Sequence, residues 1–209
     1  MTAAGTDRVP AMTLALCASF GSVAQWRDDF ARHARHEDVG QAALLFDART
    51  GALANRWLGA PAATDPNTLL VLATPAGDAQ VESFLARPDW AQAYETYQRV
   101  VHDSSEPWAA EPSHIAGAVV LDVRRAGVFE QAKTMLPTAR WQDPAQVASW
   151  GAALPKDRPV LVYCVYGHEV GRATALRLRA LGVDARFLPG GIDAWQSADK
   201  PVVARASAE

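Results

Sequence analysis

Within residues 159–172, PVLVYCVYGHEVGR, the residues equipped for chemistry are Cys164, His168 and Glu169. Cys164 closes a short apolar, β-branched run, 160–163, that reads as a buried strand. Beyond the loop, Ala173, Leu176, Leu178 and Leu181 form a helical stripe, with Arg172, Arg177 and Arg179 interspersed and Gly182 as the stop. A thiol where a strand turns into a helix sits beside free backbone N–H groups and the positive end of the helix. Both favour a thiolate and an anion bound beside it. Taken alone, the position also suits an inert strand-end thiol.

The elements around this loop alternate. Strands are expected at 119–123, 138–141, 159–164 and 185–188. Helical stretches are expected near 129–136, 144–150, 172–181 and 192–196. That order predicts an α/β fold with a mainly parallel sheet covered on both sides. The first half reads as a smaller α/β domain with a ferredoxin-like order. Its strands fall at 13–18, 41–47, 53–58 and 68–73. Ser22 caps a helix over 23–36, and further helices cover 78–85 and 90–100. Cys17 then lies inside a strand as a core thiol. Trp26 and Phe30 recur at helical spacing as core residues, and Trp57, Trp90 and Trp108 are read first as packing. Residues 1–11 form a loose tail, and 59–67, with Pro61 and Pro66, an exposed loop. The polar, proline-bearing stretch 102–113 is the expected linker between a domain at 12–101 and one at 114–203.

Composition narrows the function classes. The chain has 209 residues, 49% hydrophobic and 21% charged, which suits a globular protein. A formal net charge of -3 argues against nucleic-acid binding driven by overall charge. No run is long enough to span a membrane, and no basic flank followed by an apolar core suggests a secretory leader. Cys17 and Cys164 lie too far apart to read as a disulfide scaffold, so a reducing cytoplasm is expected. His168 is the lone metal-ligating neighbour of Cys164, which is too little for a metal site. No cofactor motif is present.

Three separated pieces carry a family resemblance: Leu121-Asp122-Val123-Arg124, Tyr163-Cys164 with Gly167 three residues on, and 188–195, LPGGIDAW. Together, over about residues 118–202, they resemble the rhodanese-like sulfurtransferase family. The resemblance implies that Cys164 attacks the outer sulfur of a donor, becomes a persulfide and passes the sulfur to a thiol or cyanide. It makes Val165, Tyr166, Gly167, His168 and Glu169 the loop around that sulfur, with Val170 and Arg172 just beyond it. Expected partners are a small sulfur donor and a thiol or protein persulfide; a homodimer is one possible assembly, and the sequence does not decide it.

The remaining roles stay open at this level. His168 is either a proton carrier and substrate hydrogen-bonder or a solvent-facing side chain. Tyr166 either walls the pocket or packs on it. Arg124 is either an anion-binding group at the mouth or half of a surface ion pair. Asp122 is expected to accept backbone N–H groups at the loop base, and Gly190 and Gly191 to allow close backbone approach. Glu169 stands where relatives often carry arginine. Its charge would repel an anionic donor and raise the cysteine's pKa. Arg172, a cation in the first helical turn, is expected either to pair with a neighbour such as Glu169, which would partly restore the missing cation, or to face the ligand. Cysteine phosphatases need an arginine six residues after the nucleophile, and here Val170 stands there. A dithiol mechanism lacks its second cysteine. Two functions remain: a sulfurtransferase, or a binding or regulatory module that keeps the fold without turnover.

Overall fold

The structure, a computed structural model, describes residues 9–35, 39–59, 65–75 and 78–205. The chain divides into two compact units, residues 1–100 and 101–209. Unit 1 opens with helices α1 (Pro10–Phe20) and α2 (Val23–His33). Strands β1 (Gly40–Asp47), β2 (Ala52–Gly59) and β3 (Thr68–Pro75) follow, then α3 (Asp78–Ala86) and α4 (Trp90–Ser105), whose residues from Val101 on are counted in unit 2. The sheet is antiparallel, in the order β2-β1-β3, with β1 central. Ser22 accepts from the Gln25 N–H and caps α2, as expected. Trp26 and Phe30 are buried, and the Trp26 indole donates to Asn55 at 3.1 Å. Trp90 packs edge-on against Trp26, centroids 5.0 Å apart.

The ferredoxin-like order is corrected by α1. Residues 13–18 are helical because Pro10 stands in the first turn and Ala, Met and Leu are strong helix formers. Ala11, Met12, Ala15 and Leu16 are buried along that helix, and the half-buried Cys17 sits on it rather than in a strand. Most of the expected tail, part of the 59–67 loop and His36 at the expected α2 end lie outside the described residues.

Unit 2 carries the expected parallel sheet. Its strands β4 (Val119–Asp122), β6 (Arg140–Trp141), β7 (Val160–Tyr163) and β8 (Ala185–Phe187) lie in the order β6-β4-β7-β8, all parallel. Helices α5 (Ala126–Gln131), α6 (Val147–Trp150), α7 (Glu169–Ala180) and α8 (Gly191–Ser197) complete it. Short strands β5 (Thr134–Met135) and β9 (Val203–Ala204) pair separately. Successive residues of β7 feed opposite faces. Val160 and Val162 join a cluster with Ala175, Leu178 and Phe187, while Leu161 and Tyr163 join one with Val120, Leu136 and Ile192. Both faces are thus buried, which explains the unbroken apolar run in the central strand. The stretch expected to be a linker is structured. Residues 102–105 continue α4, two 3-10 turns cover Glu106–Trp108 and Pro112–His114, and the Ala110 N–H donates to Phe187 O at 2.8 Å. Among the described residues no helix is long and apolar enough to cross a membrane.

Candidate active site

Strand β7 ends at Tyr163, so Cys164 is delivered at the edge of the parallel sheet where its strands finish. Four loop residues later α7 begins, with His168 at its N-cap. The turn is tight. Gly167 has φ of 68°, and a Cβ there would fall 2.5 Å from Gly190 N and 2.7 Å from Leu188 O. Gly191 has φ of 58°, and its Cβ would overlap the carbonyl oxygens of Val165 and Cys164. Glycine is required at both places by conformation and by space. The close approach lets the Ile192 N–H donate to Cys164 O and the Asp193 N–H to Val165 O, both at 3.0 Å. The 188–195 segment therefore fixes the loop's outer shape.

Around the sulfur, the backbone N–H groups of Gly171, Gly167 and His168 act as donors and favour the thiolate. Burial acts the other way and is the larger effect; Glu169 adds to it. Cys164 is 6% exposed, and its thiol is pushed above its ordinary value. Desolvation thus opposes the donors that the strand-to-helix turn supplies. Glu169 has a structural reason to be there: it is an acid in the first turn of α7, where the helix dipole favours negative charge. It competes with the thiolate for the same positive helix end.

Two arginines were candidates for holding an anion. Arg124 is buried, and Nε and Nη2 bind the Asp122 carboxylate at 2.5–2.9 Å, while Nη2 also reaches Thr134 O at 3.0 Å. The expected alternative of a surface ion pair is corrected: the pair is internal, 5% and 0% exposed. Asp122 accepts the Arg124 backbone N–H at 3.0 Å, as expected at the loop base, and also the Tyr163 hydroxyl at 2.8 Å. Tyr163 in turn accepts from the Leu136 N–H at 3.2 Å. Burial, with the Asp122 carboxylate beside it, pushes the Tyr163 hydroxyl far up, so it stays a donor. Arg172 also finds partners remote in sequence. Arg172 turns back across Phe187, 4.1 Å from the ring centroid, and pairs with Glu106 at 2.8 Å.

A cleft of about 360 Å³ opens beside the loop, lined in part by Arg124, Lys133, Thr134, Val165, Asp193 and Gln196. Cys164 does not line it. Tyr166 is 56% exposed, His168 is exposed, and their rings lie 5.7 Å apart. Both side chains therefore face outward over the loop. Val170 packs against the core on the α7 side. Trp195 packs as expected, its indole donating to Pro201 O at 2.9 Å. Among the described residues no cluster of His, Cys, Asp and Glu could hold a metal ion.

Sequence reading missed Gly171, Tyr163, Ser105 and Glu106. Gly171 carried a signal, being a glycine inside an otherwise strong helix. Tyr163 was expected as a strand end and motif residue without a hydrogen-bonding role, and the other two sit in the expected linker.

The rhodanese-like domain family matches residues 87–198, more than half of the chain. Among solved structures, a rhodanese-related protein from Thermoplasma volcanium is 24% identical, covering 44% of this chain and 88% of that one, TM-score 0.39. A rhodanese_3 like domain from Anabaena sp. is 23% identical over 44% and 98%, TM-score 0.38. A rhodanese homolog from Thermus thermophilus is 36% identical over 36% and 79%, TM-score 0.29. No curated protein matches the chain.

Proposed function

The chain belongs to the rhodanese-like domain family, and from that premise we propose that it is a sulfurtransferase working through a Cys164 persulfide. The observation that carries this reading is the convergence of the Gly171, Gly167 and His168 N–H groups on one sulfur at the start of α7. Donors fixed before reaction stabilise charge without reorganising. In the first half-reaction the Cys164 thiolate attacks the outer sulfur of the donor. The bond between that sulfur and the rest of the donor breaks, and the leaving group keeps the electron pair. In the second, a thiolate or cyanide attacks the outer sulfur of the persulfide, and Cys164 departs as thiolate. No oxidant or reductant is consumed.

Asp122 engages Arg124 and Glu106 engages Arg172, so neither arginine offers a free charge to an anionic donor. A neutral or protein-bound sulfur donor fits this loop better than thiosulfate. His168, exposed at the α7 N-cap, contacts the acceptor at the loop's surface in this reading. The same burial of the thiol favours a second reading, a binding or regulatory module without turnover. Intact-mass measurement separates them. After incubation with thiosulfate, polysulfide and a low-molecular-weight persulfide, an adduct of about 32 Da, one sulfur atom, is expected from at least one donor. It should be absent in Cys164→Ser. A folded protein that takes up sulfur from none of the three refutes the sulfurtransferase.

A further inference from the structure

Arg172 is a costly residue where it stands. A cation in the first turn of a helix opposes the helix dipole, and its side chain is only 11% exposed. Its contacts explain the choice. Nε donates to Gly167 O at 2.9 Å, and Nη1 donates to Ser105 Oγ at 3.1 Å and Glu106 Oε2 at 2.8 Å. The guanidinium lies on the Phe187 ring. Ser105 is fully buried, and its hydroxyl bonds the His102 carbonyl at 3.2 Å.

The peptide between Gly167 and His168 links these contacts to the thiol. A trans peptide is planar, with its carbonyl and N–H pointing in opposite directions. Gly167 O is held toward Arg172, so the His168 N–H faces away from it, toward Cys164, whose sulfur it favours as thiolate. Gly167, with φ of 68°, is the residue at which such a peptide rotates most easily. A clamp on its carbonyl is what fixes the donor.

We propose that Arg172 is a positioning residue: by binding Gly167 O it aims the His168 N–H at the Cys164 sulfur, and Ser105 and Glu106 at the end of α4 hold it in place. The assignment rests on Cys164 being the reacting group, but its test does not depend on sulfur transfer. Alkylation of Cys164 by iodoacetamide is followed from pH 6 to 11 by peptide mass spectrometry, which separates it from Cys17. Losing one N–H donor to a thiolate raises the alkylation midpoint, by at most about one unit because His168 is the weakest of the three donors.

Arg172→Met, which keeps an unbranched chain against Phe187, is expected to show that shift. Arg172→Lys decides between aiming and simple charge. Lysine keeps the cation but not the fork that reaches Gly167 O and Glu106 together. Aiming predicts a shift in Arg172→Lys close to that in Arg172→Met. A wild-type midpoint in Arg172→Lys, or in a folded Arg172→Met, overturns the proposal. Should Arg172→Met fail to fold, Glu106→Gln carries the test. Weakening the anchor is expected to move the His168 amide resonance and raise the midpoint by a smaller amount; no change in either refutes it.

Discussion

Gly171→Ala separates the stability of the site from its chemistry. In α7 a Cβ at this position would lie 3.3 Å from Cys164 Sγ and 3.5 Å from Cys164 N. The first contact is tight by a few tenths of an ångström, and the second is ordinary. Replacing glycine by alanine inside a helix stabilises it by about 0.5–1 kcal/mol. Crowding a packed neighbour costs roughly 1 kcal/mol at the low end of overpacking. The two nearly cancel, and the melting temperature should stay within about 4 °C of wild type.

The thiol, however, must give way. Sγ has the softest path, so it moves off the point where the Gly171, Gly167 and His168 donors converge. Weakening two such bonds, at about 1.5 kcal/mol each for a charged acceptor, gives roughly 3 kcal/mol, or about a hundredfold in rate. The assay pairs thermal denaturation with the rate at which the sulfur adduct accumulates by intact mass, using whichever donor loads the wild type. A stable variant that loads at least tenfold more slowly is expected. Loading at the wild-type rate would show that donor convergence does not govern the reaction, and an unfolded variant would show that the packing around Sγ has no slack.

Three other perturbations follow from the same geometry. Tyr163→Phe leaves the Leu136 N–H without its partner and removes one of the bonds to Asp122 Oδ2, which keeps those from Arg124. It should cost about 1–3 kcal/mol, read as a lower denaturation midpoint in urea; an unchanged midpoint would mean that solvent satisfies the Leu136 N–H. Glu169→Gln removes a charge that disfavours the thiolate. Alkylation of Cys164 at pH 8 should accelerate by roughly threefold, a half-unit fall in pKa, and a slower reaction would contradict the electrostatics. The buried thiol also ties stability to pH. Its folded pKa is raised, so its stabilising contribution is whole below the free thiol's pKa and is lost as pH rises toward the folded value. One unit above the free value the loss is about 1 kcal/mol. The melting temperature should therefore fall more steeply above pH 9 in the wild type than in Cys164→Ser, and parallel curves would refute the assignment.

The parallel sheet was readable because its central strand is apolar on both faces, a pattern that residues 160–163 announce without help from distant contacts. The loop was readable because Gly167, Gly190 and Gly191 mark places where backbone meets backbone. Residues 13–18 were misread for a physical reason: a short apolar run fits strand or helix equally, and the deciding residue, Pro10, lies just outside it. The arginines were harder. Helical spacing suggests Glu169 as a partner for Arg172, but nothing local announces Glu106, which it binds from 66 positions away. Ser105 and Glu106 sit in a polar stretch whose composition says linker, and only the folded chain shows that one of them is fully buried. For Arg124, the motif placed it correctly, but nothing local told whether Asp122 would bury it.

The hydrogen bonds from Ile192 and Asp193 to the carbonyls of Cys164 and Val165 have a consequence for the nascent chain. During synthesis the thiol leaves the ribosome well before the segment that shapes its loop. Until residues 190–193 emerge and dock, the glycine contacts and both bonds are missing, and Cys164 sits in an unclosed turn exposed to oxidants and to other chains. Folding of this unit is therefore completed from its far end. A chain that has emerged through β8 but not yet docked residues 190–193 would hold Cys164 in an open loop, and docking of α8 would be the step that closes it.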